Sequence, residues 1–291
     1  MRDVWRQSFM ALFTGQTSWR RIVGGALLSA AMLLPAQAGA QDLVGGDAIG
    51  EKYWIEVAGT LWNPDLLGQI SSEQFGLIGS TIDFAEDLNY TKTRFRDLRI
   101  VLRPTKKAKF RIQYTPMRYE ADTSFTRTIV FNGIAYPIGV PVESSFDWKV
   151  WRFGYEYDIF YRSRGFVGVL ADVRLTRMEA RLATNSPAIS PRFDEFTTVQ
   201  APLPAIGVVA RAYPLPALAI NFELSGLKVP EDIDPKYQGK WLEWDLNGTF
   251  NVTNNVGVQV GWRRTNTFVK IEDDLGDLKF NGLWFGAALR Y

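Results

Sequence analysis

The chain has 291 residues, 33 basic and 31 acidic, with neither His nor Cys, and 46% of its residues are hydrophobic. Balanced charge gives no footing for a nucleic-acid partner, and without Cys there is neither a disulfide framework nor a thiolate site. Without His the chain lacks the side chain whose ordinary pKa suits proton transfer near neutrality.

Residues 1–40 read as an export signal of the general secretory route, cleaved from the mature chain. Arg20 and Arg21 precede an apolar run from Ile22 to Leu34, and Ala38-Gly39-Ala40 supplies the small-residue cleavage pattern before Gln41. The run is too short to span a bilayer as a helix. Four basic residues and one acidic residue leave with the signal, so the remaining 251 carry 29 basic against 30 acidic, a net charge near −1. After Leu34 no apolar run is long enough for a helical span. The mature chain enters a membrane only as a closed barrel, where every strand's backbone groups are paired.

After a short periplasmic segment (41–51), ten stretches alternate with period two, the pattern of strands with one apolar and one polar face. Strand one, about 52–62, sets Tyr53, Ile55, Val57 and Leu61 against Trp54, Glu56, Ala58 and Thr60. Strand two, about 92–103, sets Leu98, Ile100 and Leu102 against Asp97, Arg99 and Arg103. Strand three, from 108, opposes Phe110, Ile112 and Tyr114 to Lys109, Arg111 and Gln113. Strand four ends near 160, with Trp151, Phe153, Tyr155 and Tyr157 opposite Arg152, Glu156 and Asp158. Strand five, from 165, pairs Val167, Val169, Val173 and Leu175 with Asp172 and Arg174. Strands six and seven set Ile206, Val208 and Ala210 against Arg211, and Ile220, Phe222 and Leu224 against Asn221, Glu223 and Ser225. Strand eight opposes Leu242, Trp244 and Leu246 to Glu243, Asp245 and Asn247. Strand nine opposes Val256, Val258 and Val260 to Gly257, Gln259 and Arg263.

The connections alternate in length. Those at 104–107, 161–164, 214–216 and 252–255 are tight, and those near 63–91, 183–199, 229–238 and 272–278 are long and polar. Short periplasmic turns alternating with long external loops is the layout of an outer-membrane barrel, and an even strand count puts both termini in the periplasm. Strands three and four continue alternating to Asn132-Gly133, a type I′ turn signal. This predicts a long hairpin over 122–142 that protrudes outside the membrane and displays Ile129, Phe131, Asn132, Gly133, Tyr136 and Ile138; packing against the first loop is the alternative. Two irregularities are expected. Pro116 calls for a bulge or a position above the lipid. The change of apolar phase from Phe146, Trp148 and Val150 to Trp151, Phe153 and Tyr155 calls for a bulge near Val150.

The tenth strand, 282–291, sets Leu283, Phe285, Ala287, Leu289 and Tyr291 against Trp284, Gly286, Ala288 and Arg290. Its Gly286, Leu289 and Tyr291 resemble the carboxy-terminal assembly signal of Gram-negative outer-membrane β-barrels, with Trp284 where that pattern prefers a polar residue. The resemblance implies a barrel within the porin-like, OmpA-barrel-like superfamily of the cell envelope. Its implied partners are the barrel assembly machinery during biogenesis, and then outer-membrane lipid and lipopolysaccharide.

Residues 52–291 are thus expected to form one all-β, ten-stranded, antiparallel up-and-down barrel. Its inward polar face carries Glu56, Asp97, Arg99, Arg103, Arg111, Arg152, Glu156, Asp172, Arg174, Arg211, Glu223, Glu243, Asp245 and Arg263, seven acidic and seven basic. Balanced signs suggest mutual pairing rather than a filter of one sign. No cofactor or metal is expected. The acidic loop clusters (Asp83, Glu86 and Asp87; Glu231, Asp232 and Asp234; Glu272, Asp273, Asp274 and Asp277) match no calcium-loop spacing. Barrel enzymes such as the omptin-type proteases use a His, so the expected role is non-enzymatic: a structural barrel or a narrow conduit for small polar solutes. A surface-binding or adhesion protein acting through the 122–142 hairpin and acidic loops is the alternative, and a His-independent enzyme is the remotest reading. The sequence leaves solute, ligand and oligomeric state open.

Overall fold

A computed structural model describes residues 47–71, 80–131, 134–184, 194–229, 237–271 and 274–291. The export segment, Asn132 and Gly133, and the loop acids Glu231, Asp232, Asp234, Glu272 and Asp273 lie outside the described residues. Thirteen strands run in chain order: β1 (Ile55–Ser71), β2 (Ile82–Asp83), β3 (Phe95–Leu102), β4 (Ala108–Ser124), β5 (Ile129–Phe131), β6 (Ile134–Tyr136), β7 (Pro141–Arg162), β8 (Gly165–Ala183), β9 (Asp194–Leu215), β10 (Leu218–Val229), β11 (Tyr237–Asn251), β12 (Val256–Ile271) and β13 (Asp274–Arg290). Leaving out β2, β5 and β6, ten of them pair antiparallel in sequence order. β13 returns to β1, from Glu56 opposite Arg290 to Ser71 opposite Leu275. The sheet is closed.

The residues at that seam explain its closeness. A Cβ at Gly286 would stand 2.3 Å from the Gly59 carbonyl oxygen, so only glycine lets β13 lie this near β1. Leu289 pairs with Val57 and Val256 on either side, and the Tyr291 carbonyl accepts from the N–H groups of Trp54 (2.6 Å) and Ile55 (3.1 Å). The residues of the assembly-signal pattern therefore close the barrel.

Alternation puts apolar side chains outside. On β7, Trp151, Phe153, Tyr155, Tyr157 and Ile159 are each 39–47% exposed while Arg152, Glu156 and Asp158 between them are buried. Eight steps at about 3.3 Å each give roughly 26 Å along the strand, matching an apolar band about 25 Å tall. In water this surface would be an aggregation site. In lipid it is the solvated face, and the chain is a barrel of outer-membrane type.

The expected bulge near Val150 is absent, and Pro116 takes the second of its two expected settings, a position above the apolar belt rather than a bulge. β7 pairs with both β4 and β8 in unbroken register through Val150, and its irregularity lies lower, between Asp158 and Phe160. The apolar phase changes because the lumen changes. Phe146, Trp148 and Val150 point inward in the same register as Arg152, Glu156 and Asp158, and all six are buried. Pro116 pairs with Lys149 without a shift, and the β3–β4 ladder has already ended at Leu98 opposite Tyr114, so the missing N–H is not required there.

The β4–β7 ladder is as long as the alternation implied, reaching Ser124 opposite Pro141. The hairpin beyond it does not protrude as an apolar display. Ile129, Phe131 and Tyr136 are fully buried, and of the hairpin residues placed Ile138 is exposed, at 66%. The β5–β6 hairpin lies against the first loop: the N–H of Ser80 donates to the Val130 carbonyl (2.7 Å), that of Val130 to Ser80 Oγ (2.9 Å), and Arg127 bridges to Asp87 (2.7 Å). Hydrophobic side chains this close to an apolar loop gain more by burial than by exposure.

Candidate functional site: the filled lumen

All fourteen inward charges read from the sequence meet an opposite charge in the lumen. Arg152 is the hub, with Nη2 2.6 Å from Asp172 and 2.5 Å from Glu223, and Nη1 3.2 Å from Glu243. Glu223 is shared with Arg111 (2.6 Å), and Arg111 also holds Glu156 (3.0 Å). Asp172 is shared with Arg174 (2.9 Å), and Arg263 spans Asp97 (2.9 Å) and Asp245 (3.0 Å). Glu56 takes Arg290 at 2.6 Å and Arg99 at 3.4 Å. Neutral donors fill the remaining lone pairs. Gln113 and Thr115 donate to Asp97, and the Trp284 indole N–H donates to Asp245 (2.8 Å).

Four further members complete the set. Lys109 joins Glu156 (2.6 Å) to Asp158 (2.9 Å), and both Lys109 and Asp158 were legible as inward positions of their strands. Arg290 is the inward cation of the last strand. Glu51 carried no signal, because it precedes the first strand. With these the described lumen holds nine cations (Arg99, Arg103, Lys109, Arg111, Arg152, Arg174, Arg211, Arg263, Arg290) and nine carboxylates (Glu51, Glu56, Asp97, Glu156, Asp158, Asp172, Glu223, Glu243, Asp245). Burying a charge is tolerable when it is paired and hydrogen-bonded, and this lumen is neutral by pairing.

At the tight-turn end, residues 48–51 cross the mouth. The Ile49 N–H donates to Pro216 (2.8 Å) and that of Gly50 to Asn254 Oδ1 (3.1 Å). Gly50 sits at φ +83° beside Arg290 and Asn251, where a Cβ would meet both within 2.8 Å. Glu51 then reaches Arg103 (3.0 Å), Arg211 (2.7 Å) and the Tyr213 hydroxyl (2.7 Å). Burial pushes the Glu51 carboxyl up, but Arg211 and Arg103 outweigh it and bring it from 4.5 down to about 2. A carboxyl lowered on folding stabilises the folded state fully above its unfolded pKa and less as pH falls toward the folded one. The stability of the docked segment should thus decline from pH 4.5 to about 2. In acid titrations monitored by proteolysis within residues 47–51, Glu51→Gln should cleave faster at pH 7 and lose this slope; an unchanged slope would deny Glu51 the role.

At the other end the lumen is apolar. Trp62, Trp148, Trp241 and Phe280 project from four strands into one aromatic layer, with Trp148 4.7 Å from Phe280 and 5.7 Å from Trp241 between ring centroids. Above it Phe84, Leu88, Phe125, Ile129, Phe131 and Tyr136 form a continuous buried cap. The sequence hid this layer, because an apolar residue facing inward alternates as one facing lipid does. Of the acidic clusters, the first is structural: Asp83 Oδ1 accepts from the N–H groups of Ala85 and Glu86, and Asp87 accepts from Asp83 N–H and Arg127.

Two cavities, of about 60 and 30 Å³, lie in the lumen, both bordered by Gln113, Arg152, Glu243 and Arg263. A single water needs roughly 10–15 Å³ on this measure, so the larger holds a handful of waters.

No family model matches the chain, and no curated protein does so. Among solved structures it is similar to the outer membrane protease OmpT from Escherichia coli, at 11% identity over 81% of this chain and 96% of that chain, with a TM-score of 0.49. It is also similar to Neisserial surface protein A, at 14% identity over 81% and 97% with a TM-score of 0.33. The toluene transporter TodX of Pseudomonas putida aligns at 8% identity over 86% and 99%, with a TM-score of 0.34. The ten-strand closure stands on this chain's own register.

Proposed function

We propose that this is an integral outer-membrane barrel of non-enzymatic, structural role, whose lumen conducts neither ions nor solutes. The observation that carries the reading is the ion-paired lumen in which Arg152, Glu243 and Arg263 border both of two small cavities, of about 60 and 30 Å³. A narrow conduit needs a continuous file of water or a ring of one charge sign. Here nine cations are spent on nine carboxylates, and an aromatic layer and cap lie beyond them. The tight turns, the start of β1 and the end of β13 share one end, which supports a periplasmic orientation for it and an external one for the cap.

Outer-membrane lipid and lipopolysaccharide are the partners this reading implies. Above the apolar belt on β7 and β8 the next outward pair is Lys149 opposite Arg177, two cations side by side of which Arg177 also reaches Glu179 (3.5 Å). An anionic headgroup relieves such a like-charge pair. The surface-binding alternative drew on the 122–142 hairpin and the acidic loops; of the hairpin residues, Ile129, Phe131 and Tyr136 are committed to the cap.

Planar-bilayer recording tests the proposal. Purified barrels inserted in the bilayer should give no steady unitary current at about 1 M or about 0.1 M KCl, concentrations chosen to span strong and weak screening (about 3 and 10 Å Debye lengths). Stable, reproducible current steps would overturn it.

A further inference from the structure

The smaller cavity differs in chemistry from the rest of the lumen. Its walls carry the indoles of Trp62, Trp148 and Trp241, and three guanidinium groups, Arg152, Arg174 and Arg263, border it against one carboxylate, Glu243. The other carboxylates of those arginines (Asp172, Glu223, Asp97 and Asp245) do not line it. The larger cavity is close to neutral, with six cations and five carboxylates on its lining. A lining of three guanidinium groups and one carboxylate therefore sits at the boundary between the charged layer and the aromatic layer, within a lumen that is neutral as a whole.

Two donors at that boundary have no hydrogen-bond partner. They are Arg174 Nη1 and Trp241 Nε1, on side chains that are 1% and 4% exposed. Arg174 Nη1 stands 3.5 Å from Glu243, an ion-pair distance too long for a strong hydrogen bond, while its Nε and Nη2 are engaged by Asp172 and Ser225. The guanidinium lies over the Trp241 ring, 4.5 Å from its centroid, and both residues line the chamber. Burial makes an unmet donor costly, and more so one on a cation. Arg99 Nε and Arg103 Nε are likewise without a partner, but neither residue lines this chamber, so the two unmet donors on its lining residues call for an acceptor from outside the chain.

The space selects its size. About 30 Å³ accommodates one halide-sized ion or two waters. Phosphate, sulfate or a lipid headgroup exceeds it. We propose that this chamber is a binding site for a single small monovalent anion of halide size, held by Arg174 Nη1 and Trp241 Nε1. The proposal goes beyond the non-conducting barrel and does not depend on it: the site is present whether or not the lumen conducts.

The test uses the folded full-length mature barrel in detergent, with bromide titrated against gluconate at constant ionic strength. Binding to the folded state alone raises its thermal stability by mass action. The midpoint at which unboiled samples lose their compact gel mobility should rise by about 3–5 °C at saturating bromide, on the scale of roughly 2–4 °C per kcal/mol for a chain of this size. Trp241→Phe keeps the ring beneath Arg174 and removes the N–H, and it should lose this rise. Crystals grown in bromide should show one anomalous scattering peak in the chamber. An equal rise in wild type and Trp241→Phe would overturn the proposal as a general salt effect. So would an anomalous map without a peak in the chamber, which would assign the space to water. If Trp241→Phe fails to fold, the wild-type anomalous map decides alone.

Discussion

Arg152→Leu should destabilise the folded barrel by about 3–5 kcal/mol, the cost of breaking a buried ion pair from one side. Arg152 is the side chain through which Asp172, Glu223 and Glu243 are neutralised together, with contacts of 2.6, 2.5 and 3.2 Å. Leucine has nearly the size for the space and none of the charge, so eight cations then face nine carboxylates in a lumen whose cavities hold only a handful of waters. Glu223 keeps Arg111, and Asp172 keeps Arg174. The excess negative charge is therefore shared rather than local, and a second substitution at any of the three acids relieves it. Glu223→Gln in the Arg152→Leu background should recover part of the loss, whereas in the wild-type background it should itself destabilise, since it leaves Arg111 and Arg152 short of a partner. Urea unfolding in lipid vesicles, monitored by tryptophan emission and by the mobility of unboiled samples, measures both. A change below about 1 kcal/mol for Arg152→Leu would place these ion pairs on the scale of exposed ones and deny the network its role.

The lower half of the barrel was legible because one rule governs it. Where lipid lies outside and charge inside, period two separates Phe153, Tyr155 and Tyr157 from Arg152, Glu156 and Asp158 without ambiguity, and the fourteen inward charges emerge from it. The upper half obeys a different rule. Above Trp151 the wall leaves the lipid, so Asp147 and Lys149 turn outward to polar surroundings and Phe146, Trp148 and Val150 fill the lumen. The phase change at Val150 was visible in the chain, but a change of solvent on both faces and a one-residue slip write the same letters. Only register distinguishes them, and register is a property of β4 and β8 as much as of β7.

The cap was hidden for a related reason. Ile129, Phe131, Tyr136 and Ile138 alternate as a hairpin does wherever it lies, and which side is buried depends on Ile82, Phe84 and Leu88, which lie far earlier in the chain. Glu51 was hidden because its partners, Arg103 and Arg211, come from distant strands brought together by closure. The balance of seven acids and seven bases among the legible positions already pointed to pairing; the completed count of nine and nine makes the lumen neutral.

The filled lumen is open to direct test because the chain contains no Cys, so single cysteines report one position each. Thr60 and Thr267 point inward, are 7% and 2% exposed, and carry hydroxyls without a hydrogen-bond partner, so replacing either with Cys removes little. Thr60 stands in the charged layer beside Asp97 and Thr267 in the apolar layer beside Trp241, while Ile138 is 66% exposed at the cap's outer edge. A small charged methanethiosulfonate reagent reaches a buried thiol only through local opening, at a rate set by the open population. Labelling of Thr60→Cys and Thr267→Cys in folded barrels should be slower than that of Ile138→Cys by about 100-fold or more, an opening cost of roughly 2.7 kcal/mol. Labelling of either lumen cysteine as fast as Ile138→Cys would show a water-filled passage into that layer and contradict the account.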